Sequence, residues 1–352
     1  MCLYPKLIEN RRYKANKKNR GVIPPIFDKR ALYVPVKCGK CMECKKQKAR
    51  EWQVRLHEEI REDKTGKFVT LTFSNESLIE LEEKLQVKVK TGIKKIIKLK
   101  NGKERKYYNY KKVTGAQQIT GYNLDNAIAK KGIRLFLERW RKKHGRSVKH
   151  WLTTELGQTA TERIHIHGII FSNEKEDIQE LWKYGRVDIG SYVNAGSINY
   201  IVKYLSKTDK KHKEYIPIIC TSAGIGKGYM NRQDAKLNKY KGEKTKETYT
   251  TRKGVQIALP IYYRNKIFTE EEKEKLWIIK LDKEERYING QRVDISKGEE
   301  EYYKLLKEER RKNQRLGYGN DKINWERRKY ENERRNLQKK AIRQIEWAKQ
   351  RK

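Results

Sequence analysis

The sequence predicts an α+β fold, and three observations predict it. Trp151–Phe171, WLTTELGQTATERIHIHGIIF, reads as two strands joined by a polar loop. Lys67–Phe73, KFVTLTF, alternates and is rich in β-formers. Ile128–His144 and Ser197–Lys207 instead repeat apolar residues at helical spacing. The 352 residues suffice for one or two domains with a core. The expected division is an N-terminal cysteine-containing arm and first helix over 1–60, a central domain over 61–268 with an insertion at about 80–125, and a charged helical tail over 269–352.

Residues 1–37 look mostly irregular, because Pro5, Pro24, Pro25 and Pro35 interrupt any helix. Residues 38–60, CGKCMECKKQKAREWQVRLHEEI, begin with Cys38, Cys41 and Cys44 and then turn helical, with Trp52, Leu56 and Ile60 at i, i+4, i+8. Three thiols at that spacing reach one ion, and a closed zinc site wants four ligands, for which Cys2 is the natural fourth. The plain alternative is a set of reduced thiols at a helix start. The strand Lys67–Phe73 ends at Ser74–Asn75. Residues 76–126 are charged and poorly periodic, and Asn101-Gly102 signals a small β-ribbon there.

In Ile128–His144 the stripe Ile133, Phe136, Leu137 and Trp140 faces inward, and Gly132 weakens the helix by about 1 kcal/mol relative to Ala. A short helix, Glu176–Tyr184, and a strand, Arg186–Val193, follow the hairpin. Ser197 is the expected N-cap of a helix with the stripe Ile198, Ile201, Val202 and Leu205. The Gly-rich turn at 220–230, CTSAGIGKGYM, is expected to offer amides to a DNA phosphate, and Cys220 simply to pack. Val255–Phe268 reads as a strand ending at Pro260 and then an aromatic segment. Beyond Thr269 little apolar face remains, so residues 295–352 read as a helical, partly mobile basic tail.

With 85 Lys+Arg against 45 Asp+Glu the formal charge is +40, which calls for a polyanionic partner, most often nucleic acid. No apolar run approaches the roughly 20 residues of a spanning helix, and the N-terminal stretch lacks the apolar core of a signal peptide. A cytosolic protein is expected, its five cysteines reduced thiols or metal ligands rather than disulfides. The 22 Tyr against 6 Phe suit stacking on bases. Arg139, Arg141, Arg163, Lys207 and Lys227 are the candidate DNA contacts.

His165 and His167 stand two apart on a strand and so share a face. If the loop turns near Ala160, Glu155 lies across from His165, completing a candidate metal set for Mg²⁺ or Mn²⁺. Satisfied core histidines are the bland alternative. Tyr200 and Tyr204, one turn apart, are candidate nucleophiles, with Lys203 and Lys207 beside them. A phenol is a poor nucleophile at neutral pH, so it needs a polarised phosphate, which a divalent ion provides. The expected product is a 5′-phosphotyrosine with a free 3′-OH, and the second Tyr would permit rejoining.

HIHGIIF resembles the two-histidine motif of the HUH endonuclease superfamily, and YIVKY resembles its two-tyrosine motif. FVTLTF is similar to the first strand of those enzymes. Together with CGKCMECKKQKAREW, the ELG before the histidines and LPIYYRNKIF, these stretches resemble the replication initiators of gokushovirus-like microviruses over roughly residues 1–268. The resemblance implies an RRM-like antiparallel sheet flanked by helices. It also implies rolling-circle origin nicking, single-stranded and origin DNA as substrate, host helicase and DNA polymerase as partners, and the host bacterial cytoplasm as location. Ala223 departs from the Pro common before GIG in such relatives, and 80–125 is longer than expected. The competing classes are a non-catalytic nucleic-acid packaging protein and a transposase or relaxase of the same chemistry.

Overall fold

The computed structural model describes residues 2–17, 19–86, 88–98, 102, 104–112, 118–158, 162–209 and 211–320. The expected tail segment 321–352 lies outside the described residues. In chain order the strands and helices are β1 (Lys6–Glu9), β2 (Tyr33–Val36), α1 (Met42–Glu62), β3 (Gly66–Leu71), α2 (Asn75–Leu85), β4 (Lys88–Lys98), β5 (Glu104–Lys112) and α3 (Gly121–His144). They continue with β6 (Lys149–Leu156), β7 (Ile164–Phe171), α4 (Lys175–Trp182), β8 (Val187–Ile189), α5 (Ala195–Ser206), β9 (Ile219–Thr221) and α6 (Gln233–Leu237). Last come β10 (Thr248–Thr250), β11 (Gln256–Ala258), α7 (Ile261–Ile267), α8 (Glu270–Asp282), β12 (Glu285–Ile288), β13 (Gln291–Asp294) and α9 (Glu300–Arg315). The described residues form two compact units, one of 65–192 with 214–222, the other of 2–64, 193–213 and 223–320. Among the described residues no helix is long and apolar enough to cross a membrane.

The first unit is built on a five-stranded antiparallel sheet of order β8-β3-β7-β6-β9. β7 is its central strand. Strand alternation sends Ile164, Ile166 and Ile170 to one face, where they join Leu152 and Leu156 of β6 and Val69 and Leu71 of β3. Helices α2, α3 and α4 cover that face through Leu78, Leu81, Ile128, Ile133, Phe136, Trp140, Ile178 and Trp182. The stripe expected on α3 is therefore the buried one. Gly132 has a packing reason: a Cβ there would stand 3.0 Å from the Phe73 ring and 3.4 Å from Trp182. Trp182 also donates its indole N–H to the Thr72 carbonyl at 2.8 Å.

Helix α2 is absent from the sequence-based reading. Ser74, taken there as a strand end, is its N-cap and accepts from the Ser77 amide. The ribbon expected after it is present as β4 paired antiparallel with β5.

In the second unit α1 packs on α5. Arg55 of α1 lies 4.0 Å from the Trp52 ring and 4.0 Å from the Tyr262 ring, and its Nε donates to the Ile225 carbonyl. Buried Glu58 accepts from Arg232 at 2.7 Å and from the Tyr249 hydroxyl. Within the mostly irregular residues 2–37, β1 pairs with β2 and closes a ribbon. One expectation is corrected here. Residues 269–320 are not a loose tail. Leu276 is buried with Phe268, Tyr263 and Tyr249, while Ile288 and Leu306 are buried with Leu3 and Met42.

Gly168 sits in the middle of β7, where a Cβ would run into the Trp151 carbonyl oxygen and approach Leu152 Cα to 2.8 Å. Gly168→Ala is expected to destabilise the sheet unit by about 1–3 kcal/mol. Gly92→Ala, in open space on β4, should stay within about 0.5 kcal/mol. Urea denaturation midpoints check both.

His150, buried on β6, holds Nδ1 3.0 Å from the Val148 carbonyl and 3.0 Å from the Ser222 hydroxyl. Burial pushes its pKa below the usual 6.5, and the Val148 carbonyl opposes that only in part. The unfolded chain then binds the extra proton, so this stability is full above pH 6.5 and declines as pH falls below it. His150→Gln should flatten the loss between pH 6.5 and 5, measured by denaturation at several pH values. An unchanged slope would remove His150 as the cause.

Candidate active site

The hairpin β6–β7 pairs Glu155 with His165 and Thr153 with His167. The turn closes where expected, with the Gly157 amide donating to the Arg163 carbonyl at 2.9 Å. Both histidines and Glu155 are half-buried on the sheet face opposite α2, α3 and α4. The imidazoles are nearly parallel, 26° apart, with centroids 6.5 Å from each other. Glu155 Oε2 lies 3.0 Å from His167 Nε2, and His167 Nδ1 lies 3.2 Å from the Thr70 hydroxyl.

Burial, and then the neighbouring His167, hold the His165 pKa below 6.5, which favours the neutral ring that can offer a lone pair to an ion. Gly157 leaves room for that ring, because a Cβ there would meet His165 Cε1 at 3.2 Å.

The donor set of two imidazoles and a carboxylate suits a divalent ion. Backbone register brings the three residues to one patch, while Glu155 closes directly on His167. Thr70 was missed in the sequence although KFVTLTF was recognised as a strand. The pairing Thr70↔His167 between β3 and β7 is the signal that identifies it.

The tyrosine pair lies on α5, in the other unit. Asn194, not Ser197, is the N-cap. Its side chain accepts from the Ser197 amide while Ser197 answers to the Asn194 backbone, a capping box. Ile198, Ile201, Val202 and Leu205 are all buried, as their spacing requires. Tyr200 is thereby turned outward and exposed, with Tyr204 half-buried beside it. Their rings meet edge to face at 5.4 Å, and the Tyr204 hydroxyl donates to the Tyr200 oxygen at 2.7 Å. Lys203 and Lys207 are exposed on the same helix end.

The candidate DNA contacts separate. Arg141 and Lys227 are exposed, and Arg163 is half-buried at the hairpin turn. Arg139 is engaged within the protein: Nε donates to Leu181 O, Nη2 to Trp182 O and Nη1 to the Tyr184 hydroxyl, so three of its five N–H groups hold the end of α4. In the Gly-rich turn one amide is already engaged within the protein. The Gly226 amide donates to buried Glu59 at 2.6 Å and its carbonyl accepts from Tyr263. Cys2, Cys38, Cys41 and Cys44 do come together, in the unit that holds α1.

Searches of the curated proteins and of the solved structures returned no match. Residues 119–209 match the family model of the replication-associated protein ORF2. Glu155, His165, His167, Tyr200, Lys203, Tyr204 and Lys207 all fall inside the matched stretch. The match supports a replication initiator family, and with it a role in DNA replication.

Proposed function

We propose that this protein is a rolling-circle replication initiator of the HUH type, like those of gokushovirus-like microviruses, acting on single-stranded origin DNA in a bacterial cytoplasm. One observation carries this most: a single family-matched stretch contains both a hairpin setting Glu155 against His165 and a helix whose two phenols share a hydrogen bond. The helix-flanked antiparallel sheet is the kind of core expected of the RRM-like fold in that superfamily. The charge of +40 supports binding to a polyanion. Host helicase and DNA polymerase are the partners such a role calls for.

Glu155, His165 and His167 would hold Mg²⁺ or Mn²⁺, which supplies Lewis-acid polarisation of a phosphate oxygen. One tyrosine oxygen attacks phosphorus, its phenol proton passes to a base or water, and the P–O3′ bond breaks. The products are a 5′-phosphotyrosine and a free 3′-OH. The second tyrosine repeats the cut on a regenerated site, and the 3′-OH attacks the first phosphotyrosine to rejoin the strand and free its phenol. The hydrogen bond between Tyr204 and Tyr200 suits proton exchange as the two alternate. Lys203 and Lys207, exposed on the same helix end, would steady phosphate charge. A non-catalytic packaging protein would explain the charge, and a relaxase or transposase would share the chemistry.

A 3′-labelled pool of random single-stranded DNA, incubated with protein and Mn²⁺, should yield a covalent adduct on a denaturing gel. Tyr200→Phe and Tyr204→Phe should each leave partial or altered activity, and the double variant none. A gel shift without adduct at any metal concentration would leave only the packaging protein.

Thr70→Val removes the hydroxyl beside His167 Nδ1. It should raise the Mn²⁺ concentration for half-maximal adduct about 10–100-fold, the usual cost of losing a partner that orients a ligand. An unchanged Mn²⁺ requirement would dismiss Thr70 from the site.

A further inference from the structure

The four cysteines near the N-terminus have no place in strand cleavage, yet they are the tightest cluster of ligating side chains among the described residues. The sulfurs of Cys2, Cys38, Cys41 and Cys44 all lie within 4.8 Å of one another. Cys38 and Cys44 are 3.9 Å apart. A disulfide would require about 2.05 Å. Four thiolates at about 2.3 Å around one tetrahedral Zn²⁺ stand about 3.8 Å from each other.

The surrounding backbone is arranged for sulfur ligands. The Cys38 and Tyr4 amides point at Cys2 Sγ, at 3.2 and 3.4 Å, and the Cys41 amide points at Cys38 Sγ, at 3.4 Å. Gly39 takes φ +74° between the first pair, which lets Cys38 and Cys41 turn their sulfurs the same way. Cys41 is the N-cap of α1 but makes no capping hydrogen bond, and Cys44 lies in the first turn, where the helix dipole favours negative charge. Lys37, Lys40, Lys45 and Lys46 are interleaved with the ligands in the sequence.

From this geometry we infer that Cys2, Cys38, Cys41 and Cys44 form a structural Zn²⁺ site that clasps the N-terminal arm to the start of α1, where α9 packs. The clasp is visible in what surrounds the sulfurs. Leu3, Met42, Ile288 and Leu306 are buried around them. The Arg310 guanidinium of α9 donates to the Leu3 carbonyl at 2.8 Å, and buried Asn313 accepts from the Met42 amide at 2.9 Å. Zinc would therefore fasten two segments distant in sequence, and α9 packs on the pair.

The test is metal analysis of the full chain purified without chelator under reducing conditions. One zinc per chain is expected. It should be lost in Cys41→Ser and in Cys44→Ser and retained in Cys220→Ser. Should the serine variants fail to fold, Co²⁺ exchanged into the unaltered chain should give the absorption of a tetrahedral thiolate site. Zinc removal should increase hydrogen exchange of α9. A chain with no bound zinc, with zinc indifferent to Cys41 and Cys44, or with a mass two or four hydrogens lighter from disulfides would overturn the site. None of these outcomes bears on adduct formation, so the two proposals fail separately.

Discussion

The antiparallel register of β6 on β7 is the constraint to which the candidate site is most sensitive. Side chains alternate with a period of two, so a slip of one residue would send His165 and His167 into the core and expose Ile164 and Ile166. Three contacts hold the register. The Gly157 amide closes the turn on Arg163. Gly168 lets the Trp151 backbone approach closely. The isoleucines lock into the cluster under α3 and α4. The polar patch is thus backed by an apolar cluster on the opposite face of the sheet.

Much of that patch was legible in the sequence because it depends on local periodicity. The spacing of His165 and His167, the symmetric distance of Glu155 from Ala160 and the stripe of α5 each follow from a repeat of 2 or 3.6 residues. The cysteine convergence was legible only as a possibility, since nothing local brings Cys2 to Cys38.

What stayed hidden depends on partners distant in sequence. Arg139 reads as one more surface cation until the carbonyls of Leu181 and Trp182 are seen around it. Gly226 reads as a free amide until Glu59 takes it. Residues 269–320 read as solvated because charge dominates them, yet single apolar residues, Leu276, Ile288 and Leu306, suffice to anchor them to existing clusters. Helix α2 was lost in the same way, its Leu78 and Leu81 outnumbered by acidic neighbours.

The seat of α3 on the sheet has a further consequence. At Gly132 the helix comes as near to Phe73 and Trp182 as a bare backbone allows, and close-packed interiors yield little. On the opposite side Lys130, Arg141 and Lys142 are exposed. One helix thus separates two tasks by face. Its surface cations can be exchanged to retune attraction for a polyanion while the strand geometry beneath stays put, whereas a single methyl group on the inner side would disturb the platform and leave the charge untouched.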